Sequence, residues 1–488
     1  MTKWRRAVVC GALAVVLAPA ALPAGAAEAS LADRLVRDVT VDQVHRHLIA
    51  FQRIADRTGG NRAAHTAGYE QSLDYIAERL RSAGFEVGTP SFTWDRVAVD
   101  AAAVSAGAVR AAPTQLGNSP NTPAGGVSGT LVVPPVDATP GCEAADYAGL
   151  ELRGGVALVR RGSCTFTQKQ VVAADLGAVA VLVYNNVNGP GLGQINPASA
   201  RIPSAGLTAA EGAALSAVAG TSATVDIRNH IEPTTSRYVV AQTATGRTDN
   251  VVLAGSQVDS TDIGPGINDT GTGAAVLLEL ALKLGARPKV GNAVRFAFWG
   301  AEGSNTAAGA YLRSLSFEEQ LDIALYLNSN SLASTNAGYF VYDGDNSAGY
   351  GRMPYGSAQI ERVFAGYLNG RGIPTEDTNF DRAWDHTQFI TAGIPTGGLY
   401  AGSHFAKTPA QVAKWGGTAG VSFDPCHQQR CDHLGNVDRT ALDRNADALA
   451  HVTGTYATST EDVNGVPPRA QRAAARSAVT KITAAESR

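Results

Sequence analysis

In the stretch NVVLAGSQVDSTDIGPGINDTGTGAA, which begins at Asn250, an apolar run ends close to Asp259. A second acid, Asp269, sits between glycine-bearing turns where a helical pattern opens, and Glu302 follows another apolar run, VRFAFWGAEGS. Acids at strand ends and in the loops after them are the groups that a two-metal hydrolytic site uses. Two cations about 4 Å apart need one bridging carboxylate, further ligands for each metal, and a general base for the water held between them. Beside Asp259, where a histidine would complete such a set, the chain carries Gln257.

Positioning these residues requires a sheet. From 231 to 457 the runs NVVLAGS, AVRFAFWGA, DIALYLNSNS and IPTGGLYAG alternate with the helical patterns TGAAVLLELALKLGA and IERVFAGYLNGRG. Runs that are apolar throughout describe strands buried on both faces, so the expectation is an α/β unit, a mostly parallel sheet flanked by helices. In such sheets ligands gather at the carboxyl ends of the strands. Residues 31–97 read as the N-terminal helical part of the same unit, because VDQVHRHLIAFQRIADRT and AGYEQSLDYIAERLRSAGF place apolar groups three and four apart. FEVGTPSFTW, after Gly84, reads as a strand. Between 98 and 230 the texture shifts to Ala, Gly, Val and Pro with short apolar runs, which suits a small inserted α/β domain. Residues 461–488 lack an apolar stripe and are expected to form a flexible tail.

The chain has 488 residues, of which 44% are hydrophobic and 17% charged, an ordinary globular composition with room for more than one core. A formal charge of -3 and the absence of a Lys/Arg cluster leave nothing to neutralise phosphates, so no nucleic-acid partner is expected. Residues 1–27 carry Lys3, Arg5 and Arg6, an apolar run and a small-residue end, the anatomy of a secretory signal peptide. Pro19 and Pro23 interrupt that run, which predicts cleavage, a secreted extracellular product and no stable membrane anchor. Four cysteines then remain, Cys142, Cys164, Cys426 and Cys431. An even number in an oxidising compartment points to two disulfides, with sequence neighbours as the natural pairing among three connectivities.

Two resemblances sharpen this reading. Cys142, the VALVRRGSCTF core with Cys164, and AADLGAVAVLVYNN make the 98–230 segment similar to the protease-associated domain. The motifs NVVLAGSQVDS, GPGINDTGTGAA, VRFAFWGAEGS, LYLNSNSLAS, AGIPTGGLYAG and DPCHQQRCDHLGNVD resemble, in order, the secreted di-zinc aminopeptidases of metallopeptidase family 28. The resemblance implies that fold with the protease-associated domain inserted. It also implies roles. Asp269 would bridge two zinc ions, Glu302 would be the general base, and Asp259 would orient a ligand histidine. That histidine is Gln257 here. The remaining ligand positions are Gly303 in place of Glu, Asn330 in place of Asp, and Gln428 in place of His, so four of the five have lost their ligand. Amides are poor zinc ligands, and glycine has no donor. His427, His433, His404, His386 and Asp385 lie near presumed strand ends. Zinc, however, needs a nitrogen within about 2.1 Å, and a one-residue shift is expected to turn His427 away.

The expectation is a secreted pseudoenzyme on a peptidase scaffold. It would hold no cofactor and would take a peptide or protein ligand whose ammonium end meets the surviving acids. The alternative is an active secreted metallo-aminopeptidase that binds zinc in a remodelled site, with Glu302 as base.

Overall fold

The central strand Arg247–Gln257 runs parallel to Asn292–Trp299 on one side and to Ile323–Ser329 on the other, and Thr396–Tyr400 continues the parallel order. This computed structural model describes residue 1 and residues 29–186, 193–301, 306–349, 353–380, 385–461 and 465–476; the expected signal peptide lies essentially outside the described residues. Outside the parallel centre, Val239–Gln242 and Glu86–Gly88 add antiparallel strands at one edge, and Phe340–Tyr342 and Glu376–Thr378 complete an eight-stranded sheet at the other.

Side chains alternate across this sheet, as the pleat requires. Val252, Ala254, Phe296, Phe298, Leu325 and Leu327 enter one core, shared with the helices Val41–Arg57, Thr272–Leu284 and Arg439–Thr458. Leu253, Ala297, Trp299 and Tyr326 enter a second core beneath Thr306–Ser314 and His386–Thr391. Burial on both faces explains why these strands carry continuous apolar runs, and each buried large apolar side chain contributes about 1.5–3 kcal/mol.

A second eight-stranded sheet interrupts the chain between the long strands Ser91–Ala106 and Ser222–Arg237. These pair antiparallel from Ser91 opposite Arg237 to Ala106 opposite Ala223, with an irregularity between Val99 and Ala101. The far half of this ribbon carries the inserted domain, in which Val127–Val132, Val156–Arg160, Ala180–Tyr184 and Ser204–Leu207 lie side by side and parallel. The near half is pinned to the main unit, because Trp94 Nε1 donates to Ser236 Oγ at 2.9 Å and Ser236 Oγ donates to the Ala64 carbonyl at 2.7 Å. FEVGTPSFTW is therefore two strands in two sheets rather than one: it breaks at Thr89 and Pro90, the latter unable to donate to a ladder. Disulfides join Cys142 to Cys164 and Cys426 to Cys431. Among the described residues, no helix is long and apolar enough to cross a membrane.

The C-terminal segment departs from the expected flexible tail. Residues 469–476 form a helix whose Arg472 and Arg476 are buried. Arg472 donates to the carbonyls of Leu321 at 2.8 Å and Pro467 at 2.9 Å and to Asn250 Oδ1, and Arg476 donates to the Ile323 carbonyl at 3.0 Å. Arg469 pairs with Asp322 and Glu318. Arginine forks anchor this segment to the start of the sheet, so it needs no wide apolar stripe. Arg472→Met, which keeps much of the volume and removes the donors, is expected to lower the unfolding free energy by about 2–3 kcal/mol. Urea denaturation measures this, and an unchanged midpoint would show that the segment does not dock in solution.

Candidate functional site

At the carboxyl end of the central strand, Gln257 is buried, and its backbone N–H donates to Asn330 Oδ1 at 3.0 Å. Asn330 Oδ1 also accepts from Ser256 Oγ at 3.1 Å, while Asn330 Nδ2 donates to Asp385 Oδ1 at 3.1 Å. Asp385 collects further donors from Asn328 Nδ2, at 2.9 Å, and from the Tyr326 hydroxyl, which itself accepts from Trp299 Nε1 at 3.0 Å. One buried carboxyl thus ties three parallel strands together. Burial pushes it up to about 7; a backbone hydrogen bond opposes the shift, and the charge of Asp259 adds to it.

Asp269 lies in the wide turn Ile267–Gly271 that leads into the helix Thr272–Leu284. Gly266, at φ 61°, sets the entry to that turn. The Asp269 backbone N–H donates to Asp432 Oδ2 at 3.1 Å, and Ser331 Oγ donates to Asp269 Oδ1 at 3.3 Å. His427 Nδ1 stands 3.1 Å from the same Oδ1, without hydrogen-bond alignment, so the contact is a charge pair. Burial works against a charge on His427, but Asp269, with Asp424 and Asp432 behind it, raises its pKa to about 9. Asp432 is itself pushed up to about 7 by burial and by Asp424 and Asp269.

His427 therefore faces Asp269, contrary to the expectation that a one-residue shift turns it away. The alternation rule belongs to extended strands. Here the chain turns tightly inside the Cys426–Cys431 disulfide, with Gln428 at φ 56° in the left-handed region. His427 and Gln428 consequently serve different spaces. Gln428 lines a cavity of about 370 Å3 together with Asp259, His65, Trp94 and Arg96. Glu302 and Gly303 lie outside the described residues.

The other candidate histidines separate. His404 stacks on His427 with ring centroids 5.7 Å apart and on Phe405 at 4.2 Å. Burial lowers its pKa, and the positive charges of His427 and Arg161 lower it further. Phe405 opens onto an aromatic cavity of about 420 Å3, with Phe340, Tyr342, Tyr400 and Phe423 in its wall. His386 is buried against Tyr342 and Phe380, and His433 accepts from the Gly435 N–H at 3.0 Å, closing its own short turn. Among the described residues, one set of three acids comes within metal-ligand distance of one another, Asp343, Glu361 and Asp377, and it includes neither Asp259 nor Asp269. Backbone N–H groups of Gly344, Asp345, Ser347 and Ala348 hold Glu361 and Asp343.

Residues 238–453 match the model of peptidase family M28, and residues 127–215 match that of the PA domain. The chain is 42% identical, over 92% of its length and 91% of the relative's, to a protein described as the probable lipoprotein aminopeptidase LpqL of Mycobacterium tuberculosis. It is 36% identical, over 91% and 86%, to an aminopeptidase of Pseudomonas aeruginosa. The chain belongs to peptidase family M28. Among solved structures it shares the fold of a zinc aminopeptidase from Bacillus subtilis, with a TM-score of 0.66 at 20% identity, covering 88% of this chain and 98% of that one. An aminopeptidase from an Aneurinibacillus strain gives 0.63 at 23%, covering 90% and 98%. Gln257, at the end of the central strand, is joined to Asn330, Asp269 sits beside Ser331, and Gln428 lines the cavity at Asp259. Sequence reasoning missed Asp432 and the hub role of Asp385.

Two measurements test this electrostatic picture. His427→Leu is expected to cost about 3–5 kcal/mol by leaving the Asp269 charge buried without a partner. Asp269→Asn in the same chain should recover much of that loss, and a coupling under about 0.5 kcal/mol in the double-mutant cycle would sink the pair. Separately, burial and the charges of Asp345 and Asp377 raise Glu361 to about 7, from 4.5. The folded state then favours its protonated form, so this contribution is most favourable below about pH 4.5 and is lost as pH rises toward 7. Glu361→Gln is expected to melt above the parent at pH 8 and level with it at pH 4.5; parallel melting curves at both pH values would exclude Glu361 as the source.

Proposed function

We propose that this chain is an exported member of the M28 family that binds the amino-terminal end of a peptide or protein at the strand ends and does not hydrolyse it. The observation that carries the reading is the donor set around Asp269. Amides stand at Gln257, Asn330 and Gln428, and His427, a charged imidazolium, lies 3.1 Å from the one retained family ligand. Neutral amides are weak zinc donors, and three of them at these positions do not supply the imidazole and carboxylate set that a pair of zinc ions takes.

A ligand class follows from the unfilled valences. Asp269 Oδ2 and Gln257 Oε1 are buried acceptors without a hydrogen bond, and an ammonium group supplies donors for such atoms. The aromatic cavity beside His404 and Phe405 suits an apolar first side chain. The two disulfides and the basic, then apolar, then small-residue opening of the sequence support export.

Zinc content is the deciding measurement. Protein purified without chelator and equilibrated with zinc at neutral pH should hold less than about a tenth of an equivalent by elemental mass spectrometry, and should not cleave leucine p-nitroanilide. One or two tightly held equivalents with turnover would replace this reading by that of a metallo-aminopeptidase with a remodelled site. The combined changes Gln257→His, Gly303→Glu, Asn330→Asp and Gln428→His should create zinc uptake.

A further inference from the structure

The inserted domain carries a polar groove of its own. Its groove, of about 1070 Å3, is lined by Asn118, Arg161, Thr165, Phe166, Gln194 and Asn196 among others, and Arg161 is the one charged side chain in that lining. Arg161 follows the strand Val156–Arg160, and its backbone N–H is fixed to the Tyr184 carbonyl at 2.9 Å. The Cys142–Cys164 disulfide closes the same loop. The guanidinium makes one neutral hydrogen bond, from Nη1 to Asn185 Oδ1 at 3.1 Å, and lies 5.9 Å over the Phe166 ring. Among the described residues no carboxylate pairs with it, whereas Arg96, Arg201, Arg228 and Arg237 each have one. A guanidinium with four unused N–H groups, propped on an aromatic face in a groove without acids, is arranged to receive a planar anion.

The direction of this charge links the two domains. Arg161 acts electrostatically on His404, which itself stacks on His427 above Asp269. A ligand that leaves its ammonium end near Asp269 and passes His404 therefore approaches Arg161.

We propose that Arg161 anchors a carboxylate of the bound ligand, so that the inserted domain and the strand ends together hold a short peptide by its two oppositely charged ends. This inference rests on the peptide-binding reading above, and it adds the carboxylate as a determinant that the strand ends do not supply.

The test uses the full chain and a series of leucyl-glycine peptides of increasing length, each as the free acid, the C-terminal amide and the N-acetyl acid, by isothermal titration calorimetry. At the length that spans the gap, the free acid should bind about tenfold more tightly than the amide, as expected for one charge-assisted contact. Arg161→Gln should abolish that difference, and Arg161→Lys should keep part of it. Equal affinities for acid and amide at every length, with the N-acetyl form weaker, would overturn the role of Arg161 and leave the ammonium site standing. Equal affinity of the free acid and the N-acetyl acid, with the amide weaker, would keep Arg161 and remove the ammonium site. No binding by any peptide at millimolar concentration would overturn both.

Discussion

The structure around the strand ends depends on one requirement, which is that the buried charge of Asp269 be matched. With 1% of its surface exposed, this carboxylate has no solvent to stabilise it, and an unmatched buried charge is among the most destabilising features a fold can contain. In the zinc-binding arrangement that the family resemblance implies, two dications would match it. Here an imidazolium does so from 3.1 Å, and it comes from the loop that also carries the last ligand position. The left-handed Gln428 and the Cys426–Cys431 closure make that possible by fixing the loop in a turn that a flexible segment would adopt only at an entropic cost. Asp432 then has a double task, since its carboxyl holds the N–H groups of Asn268 and Asp269 while adding to the field that keeps His427 charged.

The second half of the site solves a different problem. The family resemblance implies a carboxylate and an imidazole where Asn330 and Gln257 stand, and buried amides in those places must find hydrogen bonds. Asn330 does so completely, accepting from Gln257 and Ser256 and donating to Asp385. Because Asp385 also holds Tyr326 and Asn328, the exchange leaves a network that keeps three strand ends in register without a cation. Gln257 is only half satisfied. Its backbone is tied down while its side-chain oxygen has no partner, and the same holds for Asp269 Oδ2.

Much of this was legible in the sequence. Continuous apolar runs placed the parallel strands, and the short separation of each cysteine pair matched the disulfides that form. The four altered ligand positions were readable because they fall inside long motifs. What escaped was whatever depended on geometry at a turn or on contacts between distant segments. The direction of His427 follows from the positive φ of Gln428, which no pattern of residue types announces. Arg472 and Arg476 dock on carbonyls of residues far away in the chain, so a search for an apolar stripe passes over them. The break at Pro90 was marked by its residue type, yet local pattern cannot say that the two halves join different sheets. Asp385 gains its hub position only when three strands come together.

The inserted domain bears on function through the way it is attached. A single-stranded linker would leave Arg161 anywhere within a wide volume, and a ligand held at both ends would then have to order the domain on binding. Here the two connections are the paired strands of one ribbon, which run from Ser91 to Ala106 with one irregularity between Val99 and Ala101, and the ribbon is clamped at its base through Trp94, Ser236 and Ala64. Trp94 and Arg96 of the same ribbon also line the cavity at Asp259 and Gln428, so the stalk is part of the pocket wall. Paired strands allow a narrower range of separation between the strand ends and the groove than a single-stranded linker would. Loss of hydrolysis would not remove the selective value of that spacing, because recognition at two fixed points needs preorganised distance and complementary charge, and neither requires a metal.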